Sequence, residues 1–439
     1  MKLAELKEAL ASRADLADWR ISETRRKGAE CYLIGDRPDL GRSIEARDCQ
    51  VTVYVDQGGG ETRSRGSASA AVHPTMGGRE LAALLDRAAF AASKSRNPWY
   101  PIPGPAPASF APPASGFEGR APEAWSAELL AALYRAEGRA GAARVNSLEL
   151  FLTRSERRVL NSRGVDAAWT SWSGTVELTV EAEGSAGEVE LTDWLRFSEP
   201  DLARLEAEMA GRLEAVRDRA AAAPLPALAG LPLVLAKSEA EAILRWFFGN
   251  LDAARAYSKA SPLVLGQSLH GAEAREGEYD RLDIRAEPGL PGAPASAPYD
   301  AEGFPLASLG CAEGGVARAF HGAPRYAHYL GLPPAGAHAL FSVGPGSIPA
   351  AELRSAPGLE VAYFSDFDVD LDSGDFGGEI RLAYWNDGSR RIPVTGGSVT
   401  GSLFENRGLL RLSRETALAE TMRGPEAILL PRVSVTAAK

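Results

Sequence analysis

The chain has 439 residues, of which 45% are hydrophobic and 24% charged, and its formal net charge is −10. This composition is typical of a soluble globular protein, and the length predicts two or three domains. The acidic balance argues against nucleic-acid binding, which needs clustered Lys and Arg against the phosphates. The stretch MKLAELKEAL lacks the apolar core of a signal peptide, and no segment reaches the roughly 18 apolar residues that a membrane span needs. We therefore expect neither a nucleic acid nor a membrane as partner.

The three cysteines, Cys31, Cys49 and Cys311, are odd in number and widely scattered. They form neither the framework of a disulfide-rich domain nor a CxxC metal knuckle. Because disulfides belong to oxidising compartments, this pattern favours a reducing one. We expect reduced thiols in a cytoplasmic protein.

The N-terminal part of the chain is interrupted by a stretch rich in proline. Residues 98–116, PWYPIPGPAPASFAPPASG, carry seven prolines. Since proline fixes φ and lacks a backbone donor, we expect an extended connector there. Before it, a β-branched run predicts a strand at 51–55, and apolar positions at helical spacing predict a helix at 79–94. Residues 1–97 are thus predicted to form an N-terminal α+β subdomain.

Residues 117–225 again combine predicted helices with predicted strands, and we expect them to form a middle α+β subdomain. The expected elements are helices at about 123–141 and 199–220 and strands near 147–153 and 175–182. The strands alternate polar with apolar residues, and the helices flank them instead of alternating with them along the chain. This pattern favours an α+β arrangement over a doubly wound sheet. A second, milder joint, AAAAPLPALAGLP, occupies 220–232.

Residues 226–439 are predicted to form a β-rich C-terminal domain. The run LPLVLA, typical of a buried strand, precedes a helix expected at 238–256. Glycine, proline and short strands follow, most clearly at 380–384 and 428–435. The expected fold class is therefore α+β, with N-terminal α/β subdomains of hairpin strands and flanking helices and a β-rich C-terminal domain.

Several phrases in this third segment occur in a recognisable order. They are PLVLAKSEAEAILRWFFGNL, then SKASPLVLGQSL at 258–269, YDAEGFP at 299–305, GCAEGGVARAFHGAPRYAHYLGL at 310–332, SDFDVDLDSGDFGGEIRLAYWNDG at 365–388 and RIPVTGGSVTGSLFE at 391–405. The ordered series resembles the TldD/PmbA (TldE) family, once called modulators of DNA gyrase, most firmly over residues 231–435. The best individual matches are the DxEG of Asp300, Glu302 and Gly303 and the SGDF of Ser373 to Phe376.

The resemblance implies a division of labour between two related subunits. In that family the TldD-type subunit carries HExxxH on a helix and a cysteine near the C-terminus, and these hold zinc for peptide-bond hydrolysis. The TldE (PmbA) subunit lacks these ligands. The known complexes cut small or unfolded peptides, including leader peptides of modified peptide natural products.

Laid against HExxxH, this chain reads SEAEAI at 238–243. Ser238 stands in place of the first histidine and Ile243 in place of the second, so only Glu239 keeps its match. Isoleucine has no lone pair to donate, and a serine hydroxyl is a poor zinc ligand beside imidazole. The late cysteine is also missing, because the last one is Cys311. The resemblance thus implies a chain that holds no metal and has no catalytic residues of its own.

From the residues alone, the same stretch predicts the start of an ordinary helix. Ser238 is a plausible N-cap, and Glu239 and Glu241 fall in the first turn, where the helix dipole favours negative charge. Ile243 and the aromatic residues after it are expected on the buried side.

The histidines His321, His328 and His338 follow Cys311 in the sequence. Their spacings match neither a helical i, i+4 pair nor a zinc knuckle. We interpret them as surface or hydrogen-bonded histidines, with a cryptic metal site as the alternative.

The stretch DFDVDLD at 366–372 alternates strictly. A strand would place Asp366, Asp368, Asp370 and Asp372 on one side, with same-face neighbours about 7 Å apart. Carboxylates this close need solvent or partners. Three interpretations stay open: a solvated face, an acidic wall facing a basic peptide or partner, or a calcium loop ending at Glu379. The calcium pattern is imperfect because its glycine falls one position late.

We predict a TldE/PmbA-like subunit that is no enzyme on its own and pairs with a TldD-type zinc peptidase acting on small or unfolded peptides. The candidates for a peptide- or partner-facing role are Asp300, Glu302, Asp366, Asp368, Asp370 and Asp372. Two alternatives stay open. One is a homodimeric module that binds a peptide or protein without a protease partner. The other is a zinc-free enzyme of peptide natural-product maturation, with Glu239, Asp300 and Glu302 as candidate acids.

Overall fold

The computed structural model describes residues 3–138, 140–184, 187–226 and 230–437. Residues 227–229, within the predicted joint at 220–232, therefore lie outside the described residues. The described helices are α1 (Leu3–Ala11), α2 (Gly78–Lys94), α3 (Pro122–Glu137), α4 (Leu202–Ala220), α5 (Lys237–Asn250), α6 (Ala253–Tyr257), α7 (Pro324–Leu330), α8 (Ala350–Ser355) and α9 (Leu403–Asn406), with one 3₁₀ turn at Gly60–Thr62. Of these helices, none has both the length and the apolar character needed to cross a membrane.

One antiparallel sheet takes strands from both predicted N-terminal segments. Its strands are β1 (Asp18–Ile34), β2 (Arg37–Gln57), β3 (Ser64–Ala71), β4 (Asn97–Pro98), β5 (Arg144–Asn161), β6 (Asp166–Gly184) and β7 (Gly187–Phe197). They lie in the order β4-β3-β2-β1-β5-β6-β7. At its centre, β1 and β5 pair from Arg20 opposite Asn161 to Ile34 opposite Ser147. The two segments therefore share one sheet, and the domain boundaries within them stay a prediction.

Two pairs of helices cover one face of this sheet. Leu10 of α1 and Leu85 of α2 share a buried cluster with Ile21 of β1. Leu133 of α3 and Leu213 of α4 belong to a second cluster, against which Cys31 of β1 packs. Because side chains alternate along a strand, Ile21 and Cys31 point to the same face. Each fully buried leucine contributes roughly 1.5–3 kcal/mol of apolar burial, which fixes the helices to that face.

The C-terminal domain meets the opposite face of the same sheet. Arg20, one position from Ile21 and so on the other side of β1, lies 3.5 Å from the carboxylate of Glu302. The N-terminal sheet thus has helices on one face and part of the C-terminal domain on the other, while β15 of the C-terminal domain also packs against α4.

Two further sheets form the C-terminal domain. Their strands are β8 (Ala223–Pro224), β9 (Leu233–Ala236), β10 (Ile284–Glu287), β11 (Leu309–Glu313), β12 (Val316–Ala317), β13 (Leu340–Val343), β14 (Gly358–Val369), β15 (Asp375–Asn386), β16 (Arg391–Thr395), β17 (Ser398–Ser402), β18 (Arg411–Leu412), β19 (Thr416–Leu418), β20 (Met422–Pro425), β21 (Ala427–Leu430) and β22 (Val433–Thr436). The six-stranded sheet has the order β12-β11-β10-β13-β20-β19, and the nine-stranded sheet has the order β18-β21-β9-β14-β15-β16-β8, with β17 on β15 and β22 on β17. The expected α+β class with a β-rich C-terminal domain is confirmed.

Helix α5 lies in the core shared by these two sheets. Ile243 and Phe247 are fully buried in one cluster with Leu359 of the nine-stranded sheet and Phe341 of the six-stranded sheet. The rings of Phe248 and Phe341 stack with centroids 4.6 Å apart. Packing of this density holds α5 rigidly, so its first turn has a fixed position relative to both sheets.

The predicted helix at 238–256 is wrong in two details. It ends at Asn250, and α6 starts a separate helix because the Asp252 carboxylate accepts the N–H of Ala254 at 2.7 Å as an N-cap. At the other end, Ala236 rather than Ser238 occupies the N-cap position.

The proline-dense connector at 98–116 crosses the boundary between the N-terminal sheet and the C-terminal domain. The Asn161 amide donates a hydrogen bond of 2.7 Å to the carbonyl of Pro103. Further along, the Ser109 hydroxyl donates to the carbonyl of Leu306 at 2.6 Å. The connector is therefore bound on both sides and ties the two parts together.

Candidate functional site

The first turn of α5 contains the positions that match the zinc motif. Lys237 opens the helix with φ 51, a left-handed conformation that costs a non-glycine residue about 1 kcal/mol or more. Ser238 is exposed and its hydroxyl donates to Glu239 at 2.9 Å. Ile243, one turn later, is 0% exposed. The three matching positions thus lie in three different environments. Their only potential metal ligands are the Ser238 hydroxyl and the Glu239 carboxylate.

Glu239 is the titratable group of this turn. Burial raises the pKa of its carboxyl to about 7, although its own backbone N–H and the Ser238 hydroxyl favour the ionised form. The nearby charge of Asp193 on β7 raises the pKa further, and Lys237 opposes it. A carboxyl of this kind is partly protonated near neutral pH and can both accept and donate a proton.

Next to this turn, the N-terminal domain contributes a buried ion-pair network. Arg212 of α4 lies 2.8 Å from Asp193 of β7 and 2.8 Å from Glu208 of its own helix. Lys237 reaches Glu208 at 3.6 Å. Burial lowers the pKa of Arg212, but the surrounding carboxylates outweigh it and the pKa is raised. The network links α4, β7 and the start of α5.

A groove of about 530 Å³ begins beside this network. It is lined by residues 188–192 and Trp194 of β7, by residues 363–365 of β14, and by Arg219 and Arg381. Its volume falls within the range of ligand-binding clefts.

The walls of this groove are strand edges. Among the described residues, β7 pairs with β6 alone. Strand β14 pairs along its length with β15, but on its other side it meets β9 only at Leu359 and Glu360. Both walls therefore offer backbone groups without a strand partner, the arrangement by which an extended peptide is added to a sheet.

Tyr363 connects the groove with Glu239. It lines the groove from β14. Its pKa is raised, mainly by burial, with contributions from Asp193, Glu208 and Glu239. The phenol therefore stays protonated, and it shares part of its electrostatic environment with the carboxyl group of α5.

Asp300 and Glu302 lie in a different part of the molecule. Asp300 is 4% exposed, and its carboxylate accepts the backbone N–H groups of Glu302 at 2.8 Å, Phe304 at 2.9 Å and Ala337 at 3.2 Å. Burial raises the pKa of both carboxyls. Their neighbours include Arg20, whereas those of Glu239 include Asp193 and Lys237. Asp300 thus organises its own loop, and a partner-facing role for either residue stays a prediction.

The four aspartates lie on the hairpin of β14 and β15. All four are exposed while Phe367 and Val369 pack against the core, as the alternation predicts. The predicted strand at 366–372 is too long, because β14 ends at Val369. The Asp370 carboxylate accepts the N–H of Asp372 at 3.0 Å and so shapes the turn. Asp372 also pairs with Arg255 at 2.5 Å.

The histidines divide into two environments. His321 and His338 are buried with ring centroids 6.4 Å apart, and burial lowers the pKa of His321 to about 4. The Nε2–H of His321 donates to the carbonyl of Phe248 at 3.1 Å. His328 is exposed and makes an edge contact with Trp99. Hydrogen-bonded and surface histidines were the expected interpretation.

No zinc site can be assembled around α5 from the residues that match the motif. Ile243 has no donor atom and faces the core, and Ser238 offers only a hydroxyl. Within the described ranges, no group of three or more His, Cys, Asp or Glu side chains could hold a metal ion. The donor set therefore does not fit the metal that the family motif binds.

The sequence alone missed several residues of this site. Asp193, Arg212, Tyr363 and Arg381 come from four different elements and meet only in the folded chain. No local motif distinguishes them, and the exposed edge of β7 depends on sheet order, which the alternating pattern does not specify.

A family model and several solved structures agree with this architecture. Residues 229–437 match the family described as PmbA/TldA metallopeptidase C-terminal domain. The structure is similar to TldE from Thermococcus kodakarensis, with a TM-score of 0.78 and 16% identity over 99% of each chain. It is similar to a proposed modulator of a DNA gyrase from Thermotoga maritima, with a TM-score of 0.80 and 16% identity over 99% of this chain and 100% of the other. A proposed modulator of DNA gyrase from Bacteroides thetaiotaomicron gives 0.78 and 16% over 98% and 97%. No curated protein matches the sequence.

Sheet order, core and full-length likeness define a TldD/PmbA-like fold. The C-terminal domain belongs to the PmbA/TldD family, and the resemblance first seen in the ordered phrases is confirmed.

Proposed function

We propose that the chain is the non-catalytic, TldE-like subunit of a peptide-cleaving complex, in which a TldD-type partner supplies the zinc. The observation that carries the proposal is the environment of Ile243. At the position of the second zinc-binding histidine, this chain places a fully buried isoleucine within the core of the C-terminal domain. Zinc hydrolysis needs a bound metal to acidify water and polarise the carbonyl group. A subunit built this way contributes binding surface and leaves the chemistry to its partner.

The groove between β7 and β14 is the part of this chain that we propose for the substrate. Small or unfolded peptides are extended and carry free backbone donors and acceptors, which the two open strand edges match. The proximity of Tyr363 to both the groove and Glu239 supports a channel that leads past the first turn of α5.

Metal analysis combined with co-purification tests the subunit assignment. The tagged full chain is expressed alone and together with a TldD-type chain that carries HExxxH. We expect zinc and hydrolysis of unstructured peptides only in the co-purified pair, and the HExxxH glutamate-to-glutamine variant of the partner serves as control. Stoichiometric zinc in the isolated chain, together with peptidase activity, would contradict the proposal.

The same experiment separates the first alternative, a homodimeric module that binds a peptide or protein. For that function, the tagged chain would recover only its own untagged copy in the presence of the TldD-type chain, and it would bind unstructured peptides without cleavage.

One observation favours the second alternative, a zinc-free enzyme of peptide natural-product maturation. Glu239 has a pKa of about 7 and holds the Ser238 hydroxyl at 2.9 Å, a pairing suited to proton transfer. Activity of the isolated chain that survives chelator and disappears in Glu239→Gln would support it. Absence of activity in the isolated chain would leave the subunit assignment in place.

We further propose that the exposed aspartates of the β14–β15 hairpin face a basic surface of the partner subunit. Asp366 and Asp368 are exposed and have no ion pair within the described residues. Opposite charges across an interface accelerate association, and salt screens them. Asp366→Asn with Asp368→Asn should slow pairing with the TldD-type chain at low salt. An unchanged association rate would exclude this role.

A cytoplasmic location is also proposed. Cys31, Cys49 and Cys311 are all unpaired in the fold. Recovery of the native chain from the periplasmic or secreted fraction of its host would contradict it.

A further inference from the structure

Two arginines line the groove between β7 and β14 without a carboxylate partner among the described residues. Arg219, in the last turn of α4, donates a hydrogen bond to the carbonyl of Glu190 on β7. Arg381 lies on β15 and is exposed. Within the described residues, its side chain forms no hydrogen bond or ion pair. On β7, Glu188 already forms an ion pair with Arg144 at 2.6 Å.

The two guanidinium groups are close enough to affect each other. Burial lowers the pKa of Arg219, the charge of Arg381 lowers it further, and Glu190 opposes this in part. In a chain of net charge −10, these two neighbouring arginines repel each other, and among the described residues neither forms an ion pair within 4 Å, although the charge of Glu190 acts on Arg219. An anion placed between them would relieve the repulsion.

The remainder of the groove is suited to a peptide. Trp194 on one wall is 48% exposed, a large amphipathic surface of the kind that dominates binding sites. Tyr363 and Phe364 line the opposite wall. Along the groove, neither wall has a neighbouring strand on its open side among the described residues, so an extended main chain can be added there, although the carbonyls of Glu190 and Trp194 on β7 already accept hydrogen bonds from Arg219 and Arg212. The guanidinium forks match a carboxylate.

We propose that this groove binds an extended peptide through a carboxylate held by Arg219 and Arg381, so that the site selects peptides with an acidic group at that position. The inference rests on the proposed peptide-binding function and adds the charge of the preferred substrate. The carboxylate is either the C-terminus of the peptide or an Asp or Glu side chain.

Peptide binding to the full chain tests the proposal. Three fluorescent, unstructured peptides of the same apolar sequence are compared by fluorescence anisotropy at low salt. One has a free C-terminus, one is amidated, and one is amidated with an internal glutamate. Because charge-assisted bonds to two arginines are involved, we expect at least one acidic peptide to bind about tenfold more tightly than the neutral amide. Which acidic peptide gains affinity identifies the source of the carboxylate.

The Arg381→Gln variant supplies the decisive comparison. Because Arg381 is exposed and its side chain forms no hydrogen bond or ion pair within the described residues, the fold should be unaffected. The variant should lose most of the preference for the acidic peptide and keep its affinity for the neutral amide. Arg390→Gln is the matched control, since Arg390 is 76% exposed and makes only a 3.6 Å contact with Asp387.

The outcomes are distinct from those of the subunit assignment. Three results would overturn the inference. The Arg381→Gln variant could keep the full preference for acidic peptides, the unmodified chain could bind all three peptides equally, or it could bind none of them. Pairing with a TldD-type chain is measured separately by co-purification, so the subunit assignment can survive any of these results.

Discussion

Glu239 and Ile243 lie one helical turn apart on α5 and yet have different neighbours. The charges of Asp193 and Lys237 act on the carboxyl of Glu239, whereas the Ile243 side chain is 0% exposed in the apolar core. Side chains four residues apart on a helix normally share a face. A ligand pair at positions 238 and 243 would therefore combine an exposed side chain with one that packs within the core.

Histidine should therefore destabilise the chain at position 243 and leave its stability nearly unchanged at position 238. Ile243→His places a polar ring among buried apolar side chains and should cost about 2–4 kcal/mol of unfolding free energy. Ser238→His, at an exposed position, should change it by less than about 0.5 kcal/mol. Urea denaturation of both variants measures the difference. Equal stability of the two variants would show that Ile243 is not held in the core.

The stability of the chain should depend on the ionisation of Glu239. Its pKa is about 7 in the native state and about 4.5 in an unfolded chain, so between these values the native state holds a proton that the unfolded state has released. Stability therefore falls as pH rises from about 4.5 to 7, by a contribution on the order of 1–3 kcal/mol, and then stays constant.

Glu239→Gln should remove this pH dependence. The variant should gain stability relative to the native chain at pH 8 and little at pH 4, because the amide resembles the neutral carboxyl. Glu45→Gln is the control, since the Glu45 side chain is 80% exposed. Urea denaturation of the three proteins across this pH range gives the answer. Parallel curves for Glu239→Gln and Glu45→Gln would contradict the raised pKa.

Removal of the Arg212 side chain should strongly destabilise the chain, because it breaks the ion-pair network. Arg212→Ala leaves the carboxylates of Asp193 and Glu208 without their buried partner and should cost about 3–5 kcal/mol. Arg217→Ala, an exposed arginine of the same helix, should cost less than about 0.5 kcal/mol. Thermal or urea unfolding distinguishes them, and a small effect of Arg212→Ala would mean that water replaces the guanidinium.

Asp300 should behave as a structural residue. Asp300→Ala removes the acceptor of three backbone N–H groups and should cost about 2–4 kcal/mol. Asp368→Ala, on the exposed hairpin, should be close to neutral. If Asp300→Ala kept full stability but abolished an activity of the isolated chain, the zinc-free enzyme would gain support at the expense of this interpretation.

Local patterns in the sequence predicted the two longest described helices well. The helix expected at 79–94 is α2 (Gly78–Lys94), and the one expected at 199–220 is α4 (Leu202–Ala220), whose start is fixed by the Asp201 carboxylate. These succeed because capping residues and apolar spacing act within a few residues. The acidic stretch at 366–372 was predicted less well, because Asp370 bonds to its own turn and ends the strand.

The candidate site was predicted only in part. The substitutions at Ser238 and Ile243 are visible in the sequence because the family motif is contiguous. The groove is not, because Trp194, Arg219 and Arg381 come together through sheet order and the packing of α4 against β7 and β15. Contacts between distant segments leave no periodic signal in either segment.

The pairing of β1 with β5 has a consequence for biosynthesis. On the side away from β2, residues 20–34 pair with residues 147–161, and α2 and the whole connector lie between the two segments in the chain. While the ribosome is still adding the intervening residues, one side of β1 remains an open template for foreign strands. A nascent chain of this protein therefore has its greatest need of chaperones before β5 emerges from the exit tunnel.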